Sequence, residues 1–264
     1  MTYKTLGFIG GGRITRILLE GLERGHTLPA RVVVSDPNKK EFVALRLIFP
    51  PFLFPQVETV VNANELAAAQ DIVFLAVHPP IIAEVAESIR SSLRPEAILV
   101  SLAPKFTIAR LSQLLGGFQR IVRVIPNAPS LVNAGFNPVA FSPALSEADQ
   151  HEVNKLLAVW GDCPRVAEEK LEAYAVLTAM GPTYFWFQLY ELRKLAQEFG
   201  LTLEEASIGL ESMLLGALKT MNTPDIGPEE VEDLVPIKPL KEMEPHVTEL
   251  YRSRLAIILQ KIKP

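Results

Sequence analysis

Short apolar runs that alternate with helix-period segments over the first 165 or so residues constrain this chain more than any other feature. Residues 6–9 (LGFI) read as a buried strand, and Ile14, Leu18 and Leu22 follow at helical spacing. Residues 31–35, 72–77, 98–102 and 121–125 repeat the apolar-run signature. Pro79-Pro80 suits the first turn of the helix after the third run, and Thr107 is placed as N-cap of the helix after the fourth. Strands that alternate with helices need right-handed crossovers, so an α/β class with a parallel, doubly wound sheet is expected. Residues 138–142 and 164–166 are expected to add edge strands around a helix opened by Ser146.

From about Leu171 the pattern turns to helices alone. Gly181-Pro182 ends one helix and opens a long one, which Gly200 terminates. Thr202 and Glu205 form a capping box for a helix that runs to about Met221. Residues 245–262 form a last helix with Val247, Leu250, Tyr251, Leu255, Ile258 and Ile262 on one face. The expected division is a doubly wound domain over residues 1–165 and an all-α domain over residues 166–264. In Phe49-Pro50-Pro51-Phe52-Leu53-Phe54-Pro55 two readings stay open, a rigid loop against the sheet edge and an exposed apolar patch for partner contact.

Composition excludes several classes. The chain has 48% hydrophobic and 21% charged residues, which is globular rather than disordered. Its net charge of −4 and lack of a basic stripe argue against a nucleic-acid partner. Cys163 is the one cysteine, so no intrachain disulfide forms, and the four histidines are too scattered to ligate a metal. Met1-Thr2-Tyr3-Lys4 and the short apolar stretch after it fall far short of a signal-peptide core, and no apolar run reaches the length of a bilayer span. A soluble, cytoplasmic chain without a membrane partner is expected.

Gly10-Gly11-Gly12 sits directly between the first strand and the first helix. A side-chain-free residue at Gly10 allows the tight turn, and Gly12 lets a pyrophosphate approach the helix N-terminus. The order strand, glycine turn, amphipathic helix is that of a Rossmann dinucleotide site. Arg13 and Ile14, which open the helix, join Gly10 and Gly12 as cofactor candidates. Thr15 stands where Gly or Ala is usual and is expected to widen the helix–strand packing slightly. Asp36 follows the second strand, where an acidic residue holds ribose hydroxyls and favours NAD. Asp36-Pro37 also reads as an N-cap with a first-turn proline, and Ser35, Asn38, Lys39 and Lys40 are able to surround a 2′-phosphate. NAD and NADP therefore both stay open.

With these motifs in order, the chain resembles the pyrroline-5-carboxylate reductase family. Gly7-Phe8-Ile9-Gly10-Gly11-Gly12 looks like the family's opening motif. DIVFLAVHP from Asp71 is similar to its third-strand segment, with His78 where a lysine is usual. VRVIPNA from Val122 resembles its Val-Arg-Val-Met-Pro-Asn-Thr segment, and Met180-Gly181-Pro182-Thr183-Tyr184 the end of its Ser-Gly-Ser-Gly-Pro-Ala-Tyr helix start. The resemblance implies NAD(P)H-dependent reduction of a cyclic imine in proline biosynthesis. It implies a homodimer whose helical domains interleave, with each substrate site built from both subunits. By the same carry-over Ala76, Val77 and Pro79 line the cofactor groove and Asn127 lies near the nicotinamide; His78, at the carboxyl edge of the sheet, joins the cofactor candidates by its place, and Asn127, Thr178 and Tyr184 are the catalytic candidates.

The departures bear on substrate. The family carries a Thr-Ser-Pro-Gly-Gly-Thr-Thr loop that hydrogen-bonds the substrate, and here the equivalent stretch reads Val235-Pro236-Ile237-Lys238-Pro239-Leu240. No glycine remains to let backbone approach a carboxylate, and two prolines remove donors. Met180 adds bulk where the family has a small hydroxyl residue. Weak or absent turnover of pyrroline-5-carboxylate itself is expected. Lys238 reads either as a carboxylate ligand or as a solvated lysine, and His78 as a pocket wall or a proton donor. Phe185, Trp186 and Phe187 are expected in the core beside Tyr184, and Glu191 is expected to pair with Lys194 on the surface. Three functions follow: a reductase of a related C=N or C=O compound, a reductase of something unrelated such as another redox cofactor, and a non-catalytic dinucleotide-binding dimer.

Overall fold

The computed structural model describes residues 5–264, which divide into two compact units. Met1, Thr2, Tyr3 and Lys4, on which the signal-peptide argument drew, lie outside the described residues. The first unit holds the described residues up to Met180 together with Ile258–Pro264. Its elements begin with β1 (Thr5–Ile9), α1 (Arg13–Arg24), β2 (Arg31–Asp36), α2 (Lys39–Ile48), β3 (Val57–Val61), α3 (Asn64–Ala68) and β4 (Ile72–Leu75). They continue with α4 (Ile82–Ile89), β5 (Ile98–Ser101), α5 (Ile108–Leu114), β6 (Ile121–Val124), β7 (Gly135–Phe136), β8 (Val139–Phe141), α6 (Glu147–Leu157), β9 (Gly161–Asp162) and α7 (Leu171–Tyr174).

Seven strands form one sheet in the order β3-β2-β1-β4-β5-β6-β8, parallel except for the last pair. Three details differ from expectation. β3 and α3 enter between the second and third apolar runs, because VETVV is an edge strand with only Val57 buried and gives a weak signal. β4 stops at Leu75, so Ala76 and Val77 belong to the turn beyond it. Residues 164–166 do not form a strand; one bridge joins Arg165 to Val139.

Because side chains alternate across a strand, each buried strand feeds two cores. Phe8, Val32, Val34 and Phe74 face one side with Leu18, Leu22 and Trp160, whereas Ile9, Val33, Val73 and Leu75 face the other with Ile82 and Ile89. Phe8 stacks on Phe74 at 4.6 Å, Trp160 meets Phe74 edge-on at 5.8 Å, and the indole N–H donates to Leu18 O at 2.7 Å. The Phe49–Phe54 segment divides between its two readings. Phe49 is buried and meets Phe54 edge-on at 5.1 Å, but Phe52 is 82% exposed.

The expected boundary after residue 165 differs from the compact units, and a buried ion cluster explains why. Arg123 on β6 is 1% exposed and lies 2.6 Å from Glu172 and 3.0 Å from Glu168. The same carboxylates accept N–H bonds from Lys105 at 3.1 Å and Ile108 at 2.6 Å. Leu171 and Ala175 pack against Ile125 and Ala140, so residues 166–180 stay with the sheet.

The second unit, Gly181–Ile257, is all helical, as expected. It contains α8 (Pro182–Glu198), α9 (Leu203–Met221), α10 (Pro228–Asp233) and most of α11 (Glu244–Ile262). The capping box forms: Glu205 N donates to Thr202 Oγ1 at 3.1 Å and Thr202 N to Glu205 Oε2 at 2.8 Å. Two expectations fail here. Phe185, Trp186 and Phe187 are exposed, Phe187 by 67%, because α8 is apolar on more sides than its unit covers. Lys194 sits 3.9 Å from Glu198, the (i, i+4) position, rather than against Glu191. Among the described residues no helix is long and apolar enough to cross a membrane.

Removing one member of a buried ion cluster leaves an uncompensated charge. Glu172→Ala, at a position 3% exposed, is expected to lower stability by about 3 kcal/mol or more. Urea unfolding that finds Glu172→Ala no worse than an exposed Glu→Ala control would remove the cluster from its anchoring role.

Candidate functional site

Parallel sheets bind ligands beyond the carboxyl ends of their strands, where successive connections leave in opposite directions. Here that point lies between β1 and β4, because β2 continues the sheet on one side of β1 and β4 on the other. Ile9 pairs with Ser35 on one side and Leu75 on the other, so the three strands end level. Ala76 N donates to Ile9 O at 2.8 Å, and Gly10 N to Ser35 O at 2.8 Å.

Gly10 has φ +106°, and a Cβ there would lie 2.5 Å from Ala76 O. Glycine is therefore required twice over, by conformation and by space. Gly12 is different. It is the N-cap of α1, has no side-chain cap and no acid in the first turn, and a Cβ there would meet nothing within 4 Å. The opening N–H groups of α1, at Arg13 and Ile14, thus lie beside open space, which suits an anionic pyrophosphate. Thr15 does not loosen the packing. It is fully buried, and its hydroxyl donates to Gly10 O at 2.6 Å, tying helix to turn.

At the end of β2, Asp36 Oδ2 accepts from Gly11 N at 2.8 Å and Oδ1 from Asn38 N at 2.7 Å. The N-cap of α2 is Asn38, which accepts from Lys40 N at 3.1 Å, so the capping reading of Asp36 is corrected. Ser35 is corrected too. Its side chain is fully buried, donates to Asn64 Oδ1 at 2.7 Å and accepts from Ala63 N at 3.2 Å, and is not available to a phosphate.

Ala76 and Val77 form the half-buried turn after β4, followed by the exposed His78 and by Pro79, which opens a single helical turn. The residues after β6 behave differently. Asn127 is buried, with Nδ2 donating to Thr178 O at 3.3 Å, Oδ1 accepting from Phe136 N at 3.1 Å, and its own N–H donating to Asn137 Oδ1 at 3.1 Å. Thr178 Oγ1 donates to Tyr174 O at 2.9 Å. Both residues hold backbone in place through these bonds. Asn137 and Ser130, which complete this network through a 2.8 Å bond, carried no sequence signal beyond their place in a loop.

Tyr184 belongs to the helical unit. It meets Tyr251 edge-on at 5.9 Å and helps line an apolar cavity of about 460 Å³ with Phe187, Val247, Leu250 and Leu255. Burial, and then the Tyr251 phenol, raise its pKa, so its hydroxyl is protonated at neutral pH. Lys238 lies 3.8 Å from Glu232. Burial pushes the Cys163 thiol up to about 11, which removes it as a nucleophile at neutral pH. Among the described residues no group of three or more His, Cys, Asp or Glu is placed to hold a metal ion.

Residues 5–105 match the family model described as NADP oxidoreductase coenzyme F420-dependent. That span ends just past β5 and covers the glycine turn, Asp36 and the turn after β4. Over 233 residues the chain is 28% identical to the Escherichia coli pyrroline-5-carboxylate reductase, covering 88% of this chain and 84% of that protein. The Pseudomonas aeruginosa pyrroline-5-carboxylate reductase is 26% identical over 232 residues, with 88% and 83% covered. Among solved structures, the pyrroline-5-carboxylate reductase of Coxiella burnetii superposes with a TM-score of 0.72 at 26% identity, covering 99% of this chain and 98% of that one. The Plasmodium falciparum pyrroline carboxylate reductase, solved with NADP bound, shares the fold with a TM-score of 0.80 at 20% identity over 99% and 97% of the two chains. With the motif order running from the glycine turn to the Gly181-Pro182 helix start, the chain is similar to pyrroline-5-carboxylate reductases over most of its length.

Proposed function

We propose that the chain is an NAD(P)H-dependent reductase of a small C=N or C=O compound. The observation that carries the reading is the paired glycine turn: Gly10 packed against Ala76, and Gly12 open at the start of α1. When bound, a nicotinamide dinucleotide supplies the hydride. The chain's own part is to hold it: backbone from Gly10 to Ile14 takes the pyrophosphate, Asp36 takes the adenine ribose, and Ala76, Val77, His78 and Pro79 wall the groove. Orientation and exclusion of water are sufficient protein contributions when the substrate arrives as a protonated imine.

The substrate differs from pyrroline-5-carboxylate in its anchoring group. Residues 235–240 form a largely exposed, irregular stretch with two prolines and no glycine, serine or threonine. Such a stretch is poorly suited to hydrogen-bond a carboxylate. The working form is a soluble, cytoplasmic homodimer joined through the helical unit, whose exposed Phe185, Trp186, Phe187, Met213 and Leu215 form more apolar surface than a monomer keeps.

Three outcomes test this reading. Gly12→Asp should weaken NAD(P)H binding on the order of 100-fold in calorimetric titration, through loss of two charge-assisted hydrogen bonds, without lowering the melting temperature. Unchanged affinity would disprove the phosphate-turn assignment. With pyrroline-5-carboxylate, kcat/KM should fall about 100-fold or more below that of the Escherichia coli relative, the loss expected for two missing bonds to a charged group; parity would show that the altered loop does not decide the substrate. Light scattering should give twice the 29.2 kDa chain mass, and Phe185→Glu with Phe187→Glu should give a monomer. A monomeric parent, or a dimeric variant, would place the interface elsewhere.

A further inference from the structure

The segment after β2 faces the adenine-ribose end of the groove, and its polar groups are already committed. Asp36 stands one residue beyond the Ser35–Ile9 pair, level with the glycine turn. Both its oxygens accept backbone N–H bonds, from Gly11 at 2.8 Å and Asn38 at 2.7 Å, which fixes the carboxylate beside the turn. Each oxygen keeps a further lone pair, enough to accept from two ribose hydroxyls. Among the described residues no Lys, Arg or His forms an ion pair with Asp36.

A 2′-phosphate at this place would need donors and positive charge, and the segment keeps few donors beside the fixed carboxylate, the Lys39 N–H at the start of α2 among them. Pro37 has no N–H, the N–H groups of Gly11 and Asn38 point at Asp36, and that of Lys40 goes to the Asn38 side chain. The Ser35 hydroxyl is bound to Asn64. Arg16, the guanidinium on the first turn of α1 that packs toward α2, is held by Glu41 at 2.7 Å. Arg13, Lys39 and Lys40 remain, but they are exposed, so water and salt screen their attraction for a phosphate. A phosphate monoester carries a charge of about −1.5 to −2 at neutral pH and is repelled by a fixed carboxylate.

We propose that Asp36 makes this protein selective for NAD(H) over NADP(H), through acceptance of the 2′- and 3′-hydroxyls and repulsion of the 2′-phosphate. The proposal rests on the dinucleotide reading above. It departs from the NADP of the matched family model and of the Plasmodium falciparum structure.

The test is calorimetric titration of the full-length protein with NADH and, separately, NADPH at 0.15 M salt, repeated on Asp36→Asn and Asp36→Ser. The parent is expected to bind NADH at least tenfold more tightly, a difference of about 1.4 kcal/mol. Asp36→Asn keeps an acceptor for Gly11 N and removes only the charge, so it isolates repulsion and should shrink the NADH preference at least tenfold. Asp36→Ser should carry the ratio further toward NADPH, and circular dichroism reports whether each variant is folded. A parent ratio near one or favouring NADPH overturns the proposal and leaves the reductase reading intact, as does an unchanged ratio in a folded Asp36→Asn. Binding of neither nucleotide by a folded parent overturns the dinucleotide reading and this proposal with it.

Discussion

How closely the turn after β1 approaches the turn after β4 sets the geometry of everything at the carboxyl edge of the sheet. The missing side chain at Gly10 permits that approach, and the Ala76 N–H to Ile9 carbonyl bond closes it. Helix α1 then starts at a fixed height above the sheet, with Thr15 clasping Gly10 from the far side. The groove floor, the free helix N-terminus and the Asp36 carboxylate all inherit their positions from this contact, because Gly11, between Gly10 and Gly12, is the residue that donates to Asp36. Preorganisation of this kind places binding groups before any ligand arrives.

The parts of the fold that could be read from the chain were those with a local cause. Buried central strands announce themselves as unbroken apolar runs, and Thr107, Ser146 and Thr202 cap helices through their own side chains. β3 was harder to read because an edge strand alternates and buries little. Ser35 and Asn127 were only partly legible for a different reason. Residue type shows that a side chain can bond a ligand, but only tertiary contacts show that Asn64 or Phe136 has already engaged it. Thr15 looked like a defect by position and is a tie, since its partner is a carbonyl five residues back.

The two units differ in how complete they are as single chains. In the sheet unit both faces are covered and its deepest charge is paired. In the helical unit no residue of α8 is buried, although the sequence around Phe185 to Phe187 has the character of a core. The stretch at residues 235–240 lies in this same unit, where many of the exposed large apolar side chains are found.

The Arg123 cluster has a consequence for how the chain is made. β6 leaves the ribosome 45 residues ahead of Glu168 and 49 ahead of Glu172. Until those carboxylates arrive, the guanidinium has no counter-charge inside the sheet, and its desolvation opposes the docking of β6 onto β5. The nascent doubly wound layer can therefore close early around β1, β2 and β4, whose carboxyl ends carry the glycine turn, while its β6 edge waits for the segment that leads into the helices. Synthesis order thus favours early closure of the strands around the glycine turn and delays docking of β6 until residues 168–172 have been made.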